Sequence, residues 1–299
     1  MKALGTFLAI AVSTAFAYAQ ARPDFSNTEI KSNKVTEKFY TLDGLGGTIG
    51  VLFGQDGVFM VDTQFANLSA KIVGAIKQLT PQPVKYVVNT HLHGDHTGGN
   101  ENFGKLGATI ISREMLRYRL AHPNPQPNGQ PGVPVAPAGL PKQTYRDRLT
   151  LFLNGEEVQL LAIQSAHTDG DTLVCFPGLD VIMTGDLYRS IGYPVADRTN
   201  GGSVQGLLDA LGFIIGRAGP NTKIIPGHGP TVDRMAVIAH RDLVLTIRDR
   251  VAVLVDQGKS EDEAVAAKVT ADLDAKVQQP GTTADRFVRQ VYGDLKATR

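Results

Sequence analysis

The 299-residue sequence predicts an α/β fold in which two sheets stack face to face beneath covering helices, in two similar halves. Two observations predict it. Short apolar stretches alternate with glycine turns, as strands do, and runs at helical spacing follow them. This order of strands then helix occurs twice, with no short-period repeat. A hydrophobic share of 42% supplies a sizeable core, and the 32 glycines suit tight turns between short strands.

The chain opens with MKALGTFLAIAVSTAFAYAQ, residues 1–20. One positive charge at Lys2, an apolar stretch from Ala3 to about Ala17 and the small-residue pattern Ala17-Tyr18-Ala19 make up a secretory signal peptide. The mature domain is then residues 21–299, periplasmic or secreted, with 29 basic and 29 acidic residues once Lys2 is lost. Strands are expected near 35–42, 47–54 and 57–62, turning at Asp43-Gly44, Gly46-Gly47 and Asp56-Gly57. A helix over about 66–79 presents Ile72, Val73, Ile76 and Leu79 on one face and stops at Pro81. Tyr86-Val87-Val88 is a short buried strand, and a strand at about 108–111 precedes a helix at about 112–120.

Residues 122–141, HPNPQPNGQPGVPVAPAGLP, hold seven of the sixteen prolines. Such a segment neither ladders as a strand nor continues a helix, and a loop this long predicts a flap beside the site. Strands resume at about 149–153, 157–163, 172–176 and 180–183, before a helix at about 203–216 and a strand at 222–226. Gly201-Gly202-Ser203 reads as a turn and N-cap before Val204. From about 231 the chain is largely helical, with Val237, Ile238, Leu243, Val244 and Ile247 forming an apolar face that Val251 and Leu254 continue.

Charge and cysteine content exclude several functions. Net charge +1 gives no electrostatic grip on nucleic acid or anionic lipid. No apolar run beyond the leader approaches the about 20 residues a membrane span needs, so no membrane partner is expected after cleavage. The single cysteine, Cys175, rules out an internal disulfide and a Cys-built zinc finger. It lies in the apolar run Thr172–Phe176 and reads as a core residue rather than a nucleophile. A small-molecule substrate remains.

Five of the seven histidines fall in three short contexts: His91-Leu92-His93-Gly94-Asp95-His96, Ser165-Ala166-His167-Thr168 and Pro226-Gly227-His228-Gly229. Thr184-Gly185-Asp186 adds a carboxylate. Each context follows a predicted strand at its C-terminal end, where loops gather side chains from distant parts of a chain. Imidazole and carboxylate suit zinc, iron or manganese. Alternation turns the rings of His91 and His93 to one side of an extended segment, while Asp95 and His96 turn toward a second ion. Tyr188, Arg189 and Tyr193 follow Asp186 and are expected near the same rim, with surface packing as the other reading of the tyrosines.

HLHGDH, followed by a His, an Asp and a His at these intervals, resembles the metallo-β-lactamase superfamily over about residues 35–230. The resemblance implies a four-layer αββα sandwich of two pseudo-symmetric halves with metals at one rim. It implies that His91, His93 and His167 hold one ion, that Asp95, His96 and His228 hold a second, and that Asp186 bridges them. Asp62, at the end of Val58–Val61, matches the family's supporting aspartate and is expected to orient the motif loop; a helix N-cap is its other reading. Two zinc ions, or iron or manganese, would then share a hydroxide that attacks a carbonyl C–N or C–O bond, with Asp95 as a ligand that also shuttles a proton.

A β-lactam-type ring is the first substrate this suggests. Lactamases of this fold usually place Cys or Ser where Asp186 stands, however. The bridging carboxylate with His96 looks more like a lactonase, thioesterase or phosphodiesterase of the same superfamily. Outside hydrolysis, a persulfide dioxygenase with one iron on two His and one Asp resembles the pattern too, and a non-catalytic binding protein is the third class.

Overall fold

The computed structural model describes residues 24–126 and 128–298. The expected signal peptide lies outside the described residues.

Two sheets form. The first runs in the order β1 (Lys31–Lys34), β2 (Phe39–Asp43), β3 (Ile49–Gly54), β4 (Gly57–Val61), β5 (Val84–Val88), β6 (Thr109–Arg113) and β7 (Gln143–Tyr145). Its first four strands pair antiparallel and its last three join in parallel. The parallel joins need crossovers, which α1 (Ser69–Leu79), the short α2 (Gly94–Thr97) with α3 (Asn100–Lys105), and α4 (Glu114–Ala121) provide.

The second sheet runs β12 (Lys223–Ile225), β11 (Val181–Met183), β10 (Thr172–Phe176), β9 (Glu156–Ala162), β8 (Arg148–Leu153), with only β11–β12 parallel. Its crossover helix is α5 (Val204–Arg217). Each half is thus an antiparallel meander closed by a helix and a parallel strand, and the first half extends further with β6 and β7. Beyond lie α6 (Arg234–Asp256), α7 (Glu261–Ala266) and α8 (Ala284–Ala297).

Strand alternation builds the layers. Along β4, Val58 and Met60 pack with Ile72 and Ile76 of α1, while Phe59 and Val61 face the other sheet. Along β10, Val174 and Phe176 fill the space between the sheets, whereas Leu173 and Cys175 face the outer helices. Three apolar layers therefore separate four layers of backbone, the αββα sandwich expected. Cys175 is a free thiol, 3% exposed, in the outer layer. On α6, Val237, Val244, Ile247 and Val251 are buried, and Ile238, Leu243 and Leu254 pack at the margin of the same layer.

Several elements differ from the sequence reading. The strand expected at 35–42 is a hairpin, because Val35 and Thr36 both donate to the Phe39 carbonyl and turn the chain back. The described part of the proline-rich segment, expected as a flap, bonds to the body of the domain. It is pinned across the first half: Val135 N–H donates to Leu120, Asn100 Nδ2 to Gly139 and Lys142 N–H to Ile110. From it Asn124 reaches toward the site, donating to Thr199 and Asn200. Tyr188 and Tyr193 sit in the outer apolar layer, 4% and 2% exposed, rather than at the rim or on the surface. Tyr193 stacks on Phe287 and donates to Asp274.

Candidate metal centre

Loops leaving the C-terminal ends of β5, β9, β11 and β12 meet at one rim and bring the seven side chains together. His91, His93 and His167 form one group, and Asp95, His96 and His228 form another. Asp186 lies between them. Its Oδ1 is 3.4 Å from both His96 Nε2 and His228 Nε2, and its Oδ2 is 3.8 Å from His167 Nε2.

Each part of the rim is fixed from beneath. Asp62 leaves β4 with φ +63° and accepts from Thr90 N–H at 2.7 Å, Thr90 Oγ1 at 2.6 Å and His96 Nδ1 at 2.8 Å. It therefore ties the root of the motif loop to the ring of His96, and the N-cap position of the next helical turn is Phe65 instead. Two glycines allow the close approach. A Cβ on Gly47 would stand 2.0 Å from His96 Cε1, and one on Gly227 would stand 2.0 Å from Asp186 Oδ1. Ser203 caps α5 by accepting from Gly206 N–H, as its position before Val204 suggests.

The outer nitrogens of four rings have acceptors. His93 Nε2 faces Asp197 Oδ2 at 2.9 Å, His96 Nδ1 faces Asp62, and His167 Nδ1 faces the Val195 carbonyl at 2.6 Å. His91 Nδ1 lies 3.1 Å from Thr90 Oγ1, whose proton goes to Asp62. Carboxylates and carbonyls only accept, so these outer nitrogens carry the hydrogen and a neutral ring aims its lone pair inward. The inward nitrogens then oppose one another: His93 Nδ1 is 2.9 Å from His167 Nε2, and His96 Nε2 is 3.3 Å from His228 Nε2. Buried His91 Nε2 and Asp186 Oδ1 have no hydrogen-bond partner. The facing lone pairs of His93 and His167, with two buried acceptors lacking a hydrogen bond beside them, fit bound cations, and the all-nitrogen-and-oxygen donor set suits zinc, iron or manganese.

The electrostatics agree. Burial, joined by the neighbouring rings, holds His91 well below its ordinary pKa, and burial brings His167 to about 4. Burial opposes ionisation of Asp186, yet the charges of His228 and His96 keep its carboxyl well below the usual range. Asp95 is likewise brought to about 2, against burial, by His228 and His96. His96 is raised well above its ordinary value despite burial, because Asp62 and Asp186 flank it. Carboxylates that favour a proton at that point equally favour a metal cation.

The cluster opens into a cavity of about 300 Å³ lined by His93, Asp95, His167 and Asp186 together with Arg189, Thr282 and Arg286. Arg189 reaches the rim as expected and donates from Nη1 to Asp186 Oδ2 at 3.0 Å. Sequence reading missed Asp197, the Val195 carbonyl and the wall from residues 281–286. Asp197 contacts His93 across 104 positions, and no local pattern signals such a pair.

A family model described as the metallo-β-lactamase superfamily matches residues 42–228. Among curated proteins, the chain is 27% identical over 157 residues to a 2,4-dinitroanisole O-demethylase subunit alpha of Nocardioides sp., covering 50% of this chain and 45% of that one. It is 22% identical over 289 residues to a linear primary-alkylsulfatase of Pseudomonas sp., covering 81% and 52%. The chain spans about half the length of these curated relatives. Among solved structures, the stereoselective inverting sec-alkylsulfatase Pisa1 from Pseudomonas sp. superposes with TM-score 0.66 at 18% identity, over 88% of this chain and 50% of that one. A metallo-β-lactamase from Pontibacter korlensis superposes with TM-score 0.60 at 20% identity, over 73% and 99%. At these identities the superpositions establish the fold.

Proposed function

The chain belongs to the metallo-β-lactamase superfamily, and from that premise we propose that it is an exported hydrolase that works with two divalent metal ions on a small-molecule substrate. One observation carries the reading: inward lone pairs of His91, His93, His96 and His167 converge with the Asp186 carboxylate, while the outer nitrogen of each of these rings is already satisfied. His91, His93 and His167 would hold one ion and Asp95, His96 and His228 the other. Asp186, with one oxygen toward each group, would be shared. Bound there, zinc or a similar cation supplies a water nucleophile at neutral pH and draws charge from the bond attacked.

The chain's own residues do the rest. Asp62, Asp197 and the Val195 carbonyl fix the tautomers and aim of the rings, which raises their basicity as ligands. Arg189 restrains Asp186 through Oδ2. Asp95, 28% exposed on the cavity wall, would pass a proton to the departing atom. A carbonyl C–N or C–O bond, with a β-lactam-type ring first, is the substrate proposed. Sulfate-ester cleavage is the second reading, supported by the alkylsulfatase likeness over 81% of this chain. Seven donors in two groups exceed the two His and one Asp that a single dioxygenase iron needs.

Zinc-loaded protein offered a chromogenic cephalosporin, a lactone, a thioester, a phosphodiester and an alkyl sulfate should turn over one class far faster than the rest. Elemental analysis should find two metal ions per chain, and His93→Ala should lose nearly all turnover. Protein that retains no transition metal, or one iron with oxygen uptake, overturns the proposal. Export predicts that the chain isolated from its natural host lacks Met1; finding Met1 there removes that part.

A further inference from the structure

We propose that Arg286, on the first turn of α8, selects substrates that carry an anionic group, and that this C-terminal segment is the part of the chain that reads the substrate. The proposal rests on the hydrolase reading above and deepens it. Arg286 lines the same cavity as His93, Asp95 and Asp186. It lies well beyond the residues 42–228 that the family model matches.

Its guanidinium makes no ion pair. Arg189, the other arginine on the wall, is committed to Asp186 at 3.0 Å. Other arginines hold a carboxylate, as Arg119 holds Asp169 and Arg250 holds Asp272, or a carbonyl, as Arg113 holds Ile163. Among the described arginines, only Arg148 and Arg286 lack a side-chain hydrogen bond or ion pair, and Arg148 is not on the cavity wall.

The residue is nevertheless held in place. Arg286 N–H donates to Thr283 Oγ1, which caps α8. Just upstream, Thr282 accepts from Tyr193 N–H at 3.0 Å and Gln278 accepts from Gly192 N–H at 2.7 Å. Phe287, the next residue along, is fully buried against Tyr193. A fixed backbone thus holds an arginine with no ion pair on the cavity wall. Its planar fork of donors suits a carboxylate or another oxyanion on the substrate, bound beside the ligand cluster and apart from the bond that breaks.

The test is calorimetric titration of succinate, and of neutral succinamide, into native protein and into Arg286→Ala, Arg286→Lys and Arg286→Glu, each both metal-free and zinc-loaded. Arg286→Ala is expected to weaken succinate binding at least tenfold, Arg286→Glu further, and Arg286→Lys to restore part of it. Succinamide should bind native protein and Arg286→Ala alike. Equal zinc content in native and variant chains separates this from damage to the cluster. Succinate that binds native protein and Arg286→Ala equally, or binds neither, overturns the proposal. If no substrate class is turned over yet the succinate difference stands, the hydrolase reading fails while the anion selection survives. Turnover with succinate binding unchanged by the substitutions does the reverse, keeping the hydrolase reading and removing the anion selection.

Discussion

Asp62 shows how much one buried side chain can control. Its two oxygens take three hydrogen bonds and link the motif loop to the ring of His96, and it is 1% exposed. Asp62→Asn keeps the shape but turns one acceptor into a donor that faces other donors. Metal affinity, measured by competition with a chelator, should fall about 10- to 100-fold. Gly47→Ala should act on the same ring by steric means, because its methyl carbon would fall 2.0 Å from His96 Cε1. Reduced metal content together with a lower melting temperature is expected. His240 tests burial instead. It lies edge-on to Tyr188, and burial lowers its pKa to about 4. The folded state prefers the neutral ring, so its contribution is intact above the unfolded value of about 6.5 and is lost as pH falls from there toward 4. Melting of metal-free protein between pH 7 and pH 5 should drop less in His240→Gln than in the native chain.

At the level of elements, the legible parts were those whose own sequence carries the cause. Helix α5 declares its start at Ser203, and the structure agrees; its buried face includes Leu207, Leu211 and Ile214. Removing that cap with Ser203→Ala should cost about 1 kcal/mol in urea unfolding. The strands β3, β4 and β10 announce themselves by apolar runs between turns. In contrast, β1 reads KSNK, is exposed throughout, and exists only because its register with β2 supplies ladder partners. β7 is three residues long and is recruited by β6. Helices α2 and α3 lie where only the histidine pattern drew notice, and four to six residues are too few for a periodic signal. The ligand candidates were legible because glycines and strand ends frame them. Asp197, Val195 and Arg286 were not, since each matters through a contact the chain makes only after folding.

Across the whole molecule, the two halves share the ligand cluster and the C-terminal helices cover the second sheet. His91 to His96 come from the first half, and His167, Asp186 and His228 from the second. A metal bound there would couple the halves, and chelation should then lower the melting temperature in one cooperative transition, by the linkage of a ligand that binds only the folded state. Two separate transitions on chelation would argue against that coupling. Phe287 anchors α8 and is fully buried against Tyr193. Phe287→Ala should lower stability by about 3–5 kcal/mol, and it should loosen the cavity wall that Thr282 and Arg286 form.

That wall is built from residues 281–286, whereas all seven ligand candidates lie at or before position 228. Descent could therefore revise which molecules such a chain accepts by altering its tail alone, leaving the reacting apparatus unedited. Grafting the tail of a kindred chain onto this one would transplant preference without rebuilding chemistry.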